Sequence, residues 1–210
     1  MISKTGTLIF PSAINRWAAL TSAAQTFIAA GKFNMPVLEI TQAADVGMGS
    51  FYNHFDSKEQ LFQTASEEVL ERWGQLIDRA TAGITDPAEL FAVGTRITGR
   101  LGWTHPDIAG FLTGAGLDVL DIPIGLAPRA LRDIQAGQAA GRFTVPDAEI
   151  ALSAAAGGML GMLRVCQRHP ERVTEASVDQ LAEAVLRLLG VPAPEAARLA
   201  ALPLPDTGTW

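Results

Sequence analysis

Ser50 and His54 stand four residues apart, which on a helix puts a hydroxyl and an imidazole on one face. That pair has the elements of an activated nucleophile, but no third orienting group and no oxyanion site accompany it. The sequence therefore predicts no catalytic residue and no enzyme. His54, His105 and His169 are too scattered to share a metal ion, and Cys166 is the single cysteine, so neither a metal site nor a disulfide framework nor a bound cofactor is expected. Gly114 and Gly116 follow no strand and so form no phosphate loop. The polar side chains that remain together are those of Met48-Gly49-Ser50-Phe51-Tyr52-Asn53-His54: hydroxyls on Ser50 and Tyr52, donors on Asn53 and His54, and a glycine that lets backbone approach a ligand closely. These residue types make the contacts to phosphate and sugar that dominate protein–DNA hydrogen bonding.

Positioning that run requires short helices. Strict apolar–polar alternation persists nowhere, whereas helical spacing recurs along the chain, so the fold class is all-α. Trp17, Leu20, Ala24, Phe27 and Ile28 share a face over a helix from about Ser12 to Ala30, stopped by Gly31. Pro36 to Ala44 fits a short helix, Asp45 tolerates the left-handed turn after it, and Gly47 caps a third helix over about 48–53. Two short helices joined by a tight turn and backed by a longer one make a helix-turn-helix, whose second short helix enters the DNA major groove. Ser57 and Gln60 form a capping box for a long fourth helix, on which Phe62, Ala65, Val69, Trp73 and Leu76 make a core stripe.

The rest also reads helical. Asp86-Pro87 opens a helix with Leu90, Gly94, Ile97 and Leu101 on one face. Thr104-His105-Pro106-Asp107 opens another, weakened by Gly110, Gly114 and Gly116. A loop around Ile122-Pro123 and Ala127-Pro128 precedes helices at about Pro128 to Ala139 and Pro146 to Arg168. The last main helix runs from Ser177, which with Gln180 reads as a second capping box, to Leu189. A proline-containing tail over 191–210 holds at most one short helix near Ala196 to Ala201, and its final residues are expected to fray.

The chain has 210 residues, 48% hydrophobic and 18% charged, which suits one or two globular domains and excludes disorder. Its net charge of −6 is unevenly placed. Residues 1–60 carry four basic and four acidic side chains; the remainder carries 12 basic and 18 acidic. This division supports a DNA-binding domain over 1–60 and a larger domain over 61–190. No apolar run follows Lys4 as in a secretory signal, and the most apolar stretch, Ala154 to Leu163, is about half a membrane span. A cytoplasmic protein that does not enter a membrane is expected.

The stretch Ile40-Thr41-Gln42-Ala43-Ala44-Asp45-Val46-Gly47-Met48-Gly49-Ser50-Phe51-Tyr52-Asn53-His54-Phe55-Asp56-Ser57-Lys58-Glu59-Gln60-Leu61 resembles the tetracycline-repressor (TetR) family of bacterial transcriptional regulators. Upstream, Arg16, Leu20, Ala23, Phe27 and Gly31 fall at the family's spacing. The chain departs from the family pattern at Thr41, Asp45 and Gly47, at Met48, which stands where a polar or basic residue is frequent, and at Lys32, which stands where an aromatic is common.

The resemblance implies an all-helical homodimer. Its N-terminal domain would bind double-stranded DNA at a palindromic operator through Lys32, Gln42, Met48, Gly49, Ser50, Tyr52, Asn53, His54 and Lys58. Its C-terminal domain would bind a small-molecule effector and dimerise through the last two main helices. Ala154, Ala155, Ala156, Gly157, Gly158 and Gly161 suit close helix approach, and Val178, Leu181, Val185 and Leu188 are spaced as in a bundle seam. For the effector, Trp103, Phe111, Met159 and Met162 are candidate apolar lining, with packing core as their other reading. Arg100, His105, Asp118 and Arg164 are candidate polar partners. The rival reading is a helical ligand-binding protein without specific DNA readout.

Overall fold

The computed structural model describes residues 13–32 and 34–206, and eleven α-helices lie among them with no strand. The expected start of the first helix at Ser12 and the expected fraying of 207–210 fall outside the described residues.

Helix α1 (Ala13–Ala29) buries Leu20, Ala23, Ala24 and Ile28, with Trp17 and Phe27 half-buried beside them. Gly31 closes it at φ 72°, where only glycine is unstrained, and the Lys32 N–H returns to the Phe27 carbonyl at 2.9 Å. Helix α2 (Val37–Ala43) begins after Pro36, which stands one position before the helix rather than in its first turn. Thr41 is buried and satisfies its hydroxyl on the Leu38 carbonyl at 2.9 Å. Asp45 takes the left-handed conformation at φ 52°, and α3 (Met48–Tyr52) follows from Gly47. Phe51 and Phe55 anchor α3 in the core with ring centroids 6.0 Å apart.

Helix α4 (Lys58–Thr81) joins the two halves. The Ser57 hydroxyl accepts from the Gln60 N–H at 3.1 Å, as expected of a cap. The return bond differs: Gln60 accepts from the Asp56 N–H, not from Ser57. Phe62, Ala65, Trp73 and Leu76 are buried, and Val69 is half-buried. Gln25 of α1 donates to Glu68 at 3.2 Å and accepts from Arg72 at 3.2 Å, tying α1 to α4.

Beyond α4 come α5 (Pro87–Gly99), capped by Asp86, then the short α6 (Leu101–Thr104) and α7 (Pro106–Ala115). A 3-10 turn (Gly116–Asp121) leads to α8 (Leu126–Ala139), which starts two residues earlier than Pro128 and takes that proline into its first turn. Helix α9 (Ala148–Arg168) is capped by Asp147. Helix α10 (Glu175–Leu188) starts ahead of the expected Ser177: its cap is Thr174, and Ser177 is the third residue of a Thr174–Ser177 box rather than the first of a Ser177–Gln180 one. Helix α11 (Ala193–Ala200) lies in the proline-containing stretch and buries Ala196, Leu199 and Ala200 against its neighbours. The buried Arg96 guanidinium reaches across α5 to Asp179 at 2.6 Å and to the Leu202 carbonyl at 2.5 Å, holding the chain end in place.

Two apolar clusters result. One runs from α1–α4 without a break into α5 and α7; the other is built by α5 and α8–α11. The first makes the N-terminal unit mechanically continuous with α7, whose Gly110 packs so tightly that an added Cβ would sit 2.6 Å from the Ala29 carbonyl oxygen.

The seam expected on α10 divides. Val178 and Val185 turn into the core of the same chain, Leu181 is half-buried, and of the four only Leu188 faces outward. A 14-residue helix packed against α5 on one side has to spend one stripe inward, and the valines lie on it. On α9, Ala155 and Ala156 also turn inward, while Ile150, Ala154, Gly157, Gly158, Gly161 and Val165 remain exposed. By length and composition α9 is the one described helix apolar enough to cross a membrane, with a window mean hydropathy of 1.3. In the fold its other face packs on α5, α7, α8 and α10.

Candidate DNA-binding surface and effector cavity

The residues expected at DNA cluster on one exposed region. Helix α3 has five residues, and burial of Phe51 fixes its orientation. Met48, Gly49, Tyr52 and Asn53 face outward, with Ser50 and His54 half-buried between them. Gln42 on α2 and Lys32 ahead of it are also exposed. An added Cβ at Gly47 or Gly49 would meet nothing within 4 Å, so the chain's own packing does not demand glycine there. Lys58 stands in the first turn of α4. Its amine donates to the Asn34 side-chain carbonyl and lies 4.0 Å from Glu59.

The eight candidates for effector contact do not form one site. Met159 alone lines a cavity. Arg100 pairs with Glu175 at 3.1 Å and Asp179 at 3.9 Å, leaving its buried Nε without a partner. His105 packs its ring at 5.2 Å from that of Trp73, with Nδ1 3.0 Å from the Thr104 hydroxyl. Phe111 is core, Met162 packs where a Cβ on Gly99 would fall, and Trp103, Asp118 and Arg164 are exposed.

The cavity itself has a volume of about 140 Å³ and is lined by residues of α4, α5, α7, the turn after it, and α8–α10. Its walls are mainly apolar: Ile77, Leu90, Phe91, Leu112, Leu126 and Leu160 are representative. The polar residues in the lining are Asp78, Thr95, Thr98, Arg129 and Asp133. None of those five is expected from sequence. The signal exists as spacing: Glu71 and Asp78 are two turns apart on α4, and Arg129, Arg132 and Asp133 are three and four apart on α8.

Those two stripes meet. Arg129 donates to both carboxylate oxygens of Glu71 at 2.8 and 2.9 Å and to Asp78 at 2.7 Å. It also donates to the Gly125 carbonyl at 2.9 Å, while the Gly125 N–H donates to Glu71 at 3.2 Å. The bidentate hydrogen bonds from Arg129 pull the Glu71 carboxyl down to about 2 from its ordinary 4.5. Asp133 behaves oppositely: burial pushes its carboxyl up, although Arg132 donates to it at 2.8 Å. Thr95 spends its proton on the Phe91 carbonyl at 2.8 Å and keeps its oxygen as an acceptor. Thr98 accepts from the Trp73 indole at 3.5 Å. The cavity thus offers a mainly apolar slot with acceptors and one guanidinium in its lining. Among the described residues no three metal-ligating side chains converge.

A helix-turn-helix with an open recognition face, joined through one long helix to a helical domain with a cavity, defines a class of DNA-binding regulator. Residues 19–65 match the model for bacterial regulatory proteins of the tetR family, and residues 86–201 match that for the tetracyclin repressor-like C-terminal domain. The chain belongs to the TetR family and is a DNA-binding transcriptional regulator, not an enzyme. It is similar to the regulator RolR in complex with the ligand resorcinol, at 33% identity and TM-score 0.74, covering 93% of this chain and 98% of that one. RolR without ligand matches at 34% identity and TM-score 0.74, covering 90% and 98%. A putative tetR-family regulator from Shewanella sp. PV-4 shares the fold at 19% identity and TM-score 0.71, covering 82% and 96%. No curated protein matches the sequence.

Proposed function

We propose that the protein is a cytoplasmic homodimeric repressor, released from a palindromic operator by a small hydroxylated aromatic of the resorcinol type. The observation that carries this reading is the cavity. At about 140 Å³ it is the size that holds one benzene ring. Its polar lining matches hydroxyls: Asp133 and Thr95 accept, and Arg129 donates. The similarity to a regulator crystallised with resorcinol supports the same chemistry from an independent side.

The helix arrangement supports release. Helices α4 and α7 both wall the cavity and both pack on α1 of the DNA-binding unit. A ligand touching Arg129 competes for the guanidinium that joins Glu71 and Asp78 of α4 to Gly125. An effector shifts the equilibrium only by its differential affinity for the two states, and this shared guanidinium supplies a source of difference. Pairing of two copies would use the exposed small-residue stripe of α9 with Leu188 of α10, where backbones can approach closely. Two recognition helices would then enter successive major grooves about 34–36 Å apart. The domain bounds 1–60 and 61–190, with 191–210 following, fit this division of labour.

The test is fluorescence anisotropy of the protein on DNA from its own upstream intergenic region, beside scrambled DNA, at two salt concentrations, with resorcinol titrated in. Salt-sensitive binding to the native fragment and its loss with resorcinol are expected. The dimethyl ether of resorcinol, which lacks both donors, should not release the DNA, because the half-buried acceptors would be left unpaired. If resorcinol neither releases DNA nor changes the protein's tryptophan fluorescence, the effector class is wrong.

A further inference from the structure

We infer that the recognition helix reads thymine methyl groups, with Met48 as the principal reader, so that the operator base pairs beneath α3 are A·T. The inference rests on the operator-binding reading above. It starts from what is missing. Between Pro36 and Ser57 the chain has no lysine and no arginine, although it has Glu39, Asp45 and Asp56. The commonest specific base contact, a bidentate Arg or Lys on guanine, is therefore unavailable to α2 and α3. Lys32 and Lys58 flank the two helices and are not part of them.

What is present points to the other base pair. Met48 is 46% exposed and Tyr52 59% exposed, and at four residues apart they share one exposed face of α3, beside the buried Phe51, whose ring meets that of Tyr52 edge-on at 5.1 Å. Two large, mainly apolar side chains are thus held in water on the face that addresses the groove. The glycines on either side of Met48 make it stand alone: Gly47 and Gly49 carry no side chain and have open space around them, so backbone can approach DNA with Met48 projecting. The thymine C5-methyl is the apolar group displayed in the major groove, and a thioether chain adapts its shape to such a contact. The amides available, Gln42 and Asn53, are exposed and are the side-chain type whose bidentate partner is adenine. Methyl readers and adenine readers together specify A·T pairs.

The experiment selects operators for the full-length protein from a random DNA library, then replaces each thymidine of the selected site in turn by deoxyuridine. This removes the methyl and keeps every base-pairing group. At the thymines beneath α3, affinity should fall about fourfold for each methyl that is buried on binding. Met48→Ala should bind the thymine and uracil operators alike while keeping its melting temperature, since Met48 is exposed. Met48→Arg, selected afresh, should recover guanine at the same position. Equal binding of wild-type protein to thymine and uracil operators, or a selected G·C pair beneath α3, overturns the inference and leaves specific DNA binding standing. A selection that enriches no sequence overturns both.

Discussion

At the recognition helix, glycines face open space and polar side chains wait for partners; around the Arg129 ion cluster, glycines are jammed against neighbours and charges are already matched. Gly47 and Gly49 meet nothing within 4 Å. By contrast, a Cβ on Gly74 would sit 2.7 Å from the Arg129 guanidinium, and one on Gly125 would sit 2.5 Å from Leu70. Among the described residues, the side chains of Ser50, Tyr52, Asn53 and Gln42 make no hydrogen bond that fixes them, whereas Arg129 makes four around the cavity. The lesson is about where each site's complement comes from. The outer surface is completed by a macromolecule, so its residues are spared from folding. The inner cluster is completed by folding itself, so any molecule bound there would have to replace contacts the protein already makes.

The largest effect that sharpens this contrast comes from two glycine substitutions. Gly137→Ala drives a methyl into the ring of buried Phe143. Overpacking of this kind costs about 2 kcal/mol, which in a chain of this size lowers the melting temperature by about 4–8 °C. Gly49→Ala should leave the melting temperature unchanged or slightly raised, because alanine is the better helix former. It should instead weaken operator binding several-fold by holding the backbone off the DNA. Thermal unfolding and anisotropy on both variants decide the matter. A comparable thermal loss at Gly49 would break the contrast, since that glycine would then serve the fold.

A smaller effect is expected from the charges. Glu71 is held at about 2 in the folded chain by Arg129 against an ordinary 4.5. A depressed carboxyl contributes stability that is complete above about pH 4.5 and is lost as the pH falls toward 2. Glu71→Gln should remove that component. Its stability should be lower by about 1 kcal/mol at pH 7, the upper end for ion pairs open to water, and the difference should shrink below pH 4. Asp133, raised by burial, has the opposite sign: its contribution is present in acid and is lost as the pH rises through its folded value. Asp133→Asn should therefore not destabilise at neutral pH, while it exchanges one of the two carboxyl acceptor oxygens for an amide donor and so weakens the grip on a hydroxylated effector. Urea unfolding across pH 3–7 separates the two. Parallel curves for wild type and Glu71→Gln would show that the Arg129 cluster does not titrate as a unit.

The same contrast explains what could be read from the residues. The recognition unit lies within one contiguous run, so local rules reach it: Asp45 in the left-handed turn, Gly31 ending α1, Ser57 capping α4 and Phe51 facing the core are each set by near neighbours. The cavity draws residues from Ile77 to Val185, and no spacing within one helix announces it. Leu90 and Gly94 fall on the expected face of α5, yet they line the cavity instead of closing the core. Arg100 and Asp118 are equally plausible in sequence. Partners 75 and 79 residues away take up Arg100, and nothing local reveals that. Helix starts fail where two caps compete: Thr174 lies three residues ahead of Ser177, and its box holds the true first turn.

The smallest expected effect tests whether the outer surface is spared from folding even where it already has a partner. The Lys58 amine rests on the Asn34 side chain and near Glu59, both exposed. Surface contacts of this kind contribute at most about 1 kcal/mol, so the lysine can exchange them for a phosphate at little cost. The free N–H groups of the first turn of α4 would add to the same grip. Lys58→Ala should lower the melting temperature by no more than about 2–4 °C, in keeping with that small surface term. It should weaken binding to specific and scrambled DNA by the same factor, because a phosphate contact carries no sequence information. The slope of log affinity against log salt should fall by about one for each phosphate that the variant no longer neutralises. An unchanged slope would take Lys58 off the DNA and assign it to the Asn34 loop. A weakening confined to the native fragment would make it a reader of bases and would supply the positive charge that α2 and α3 lack.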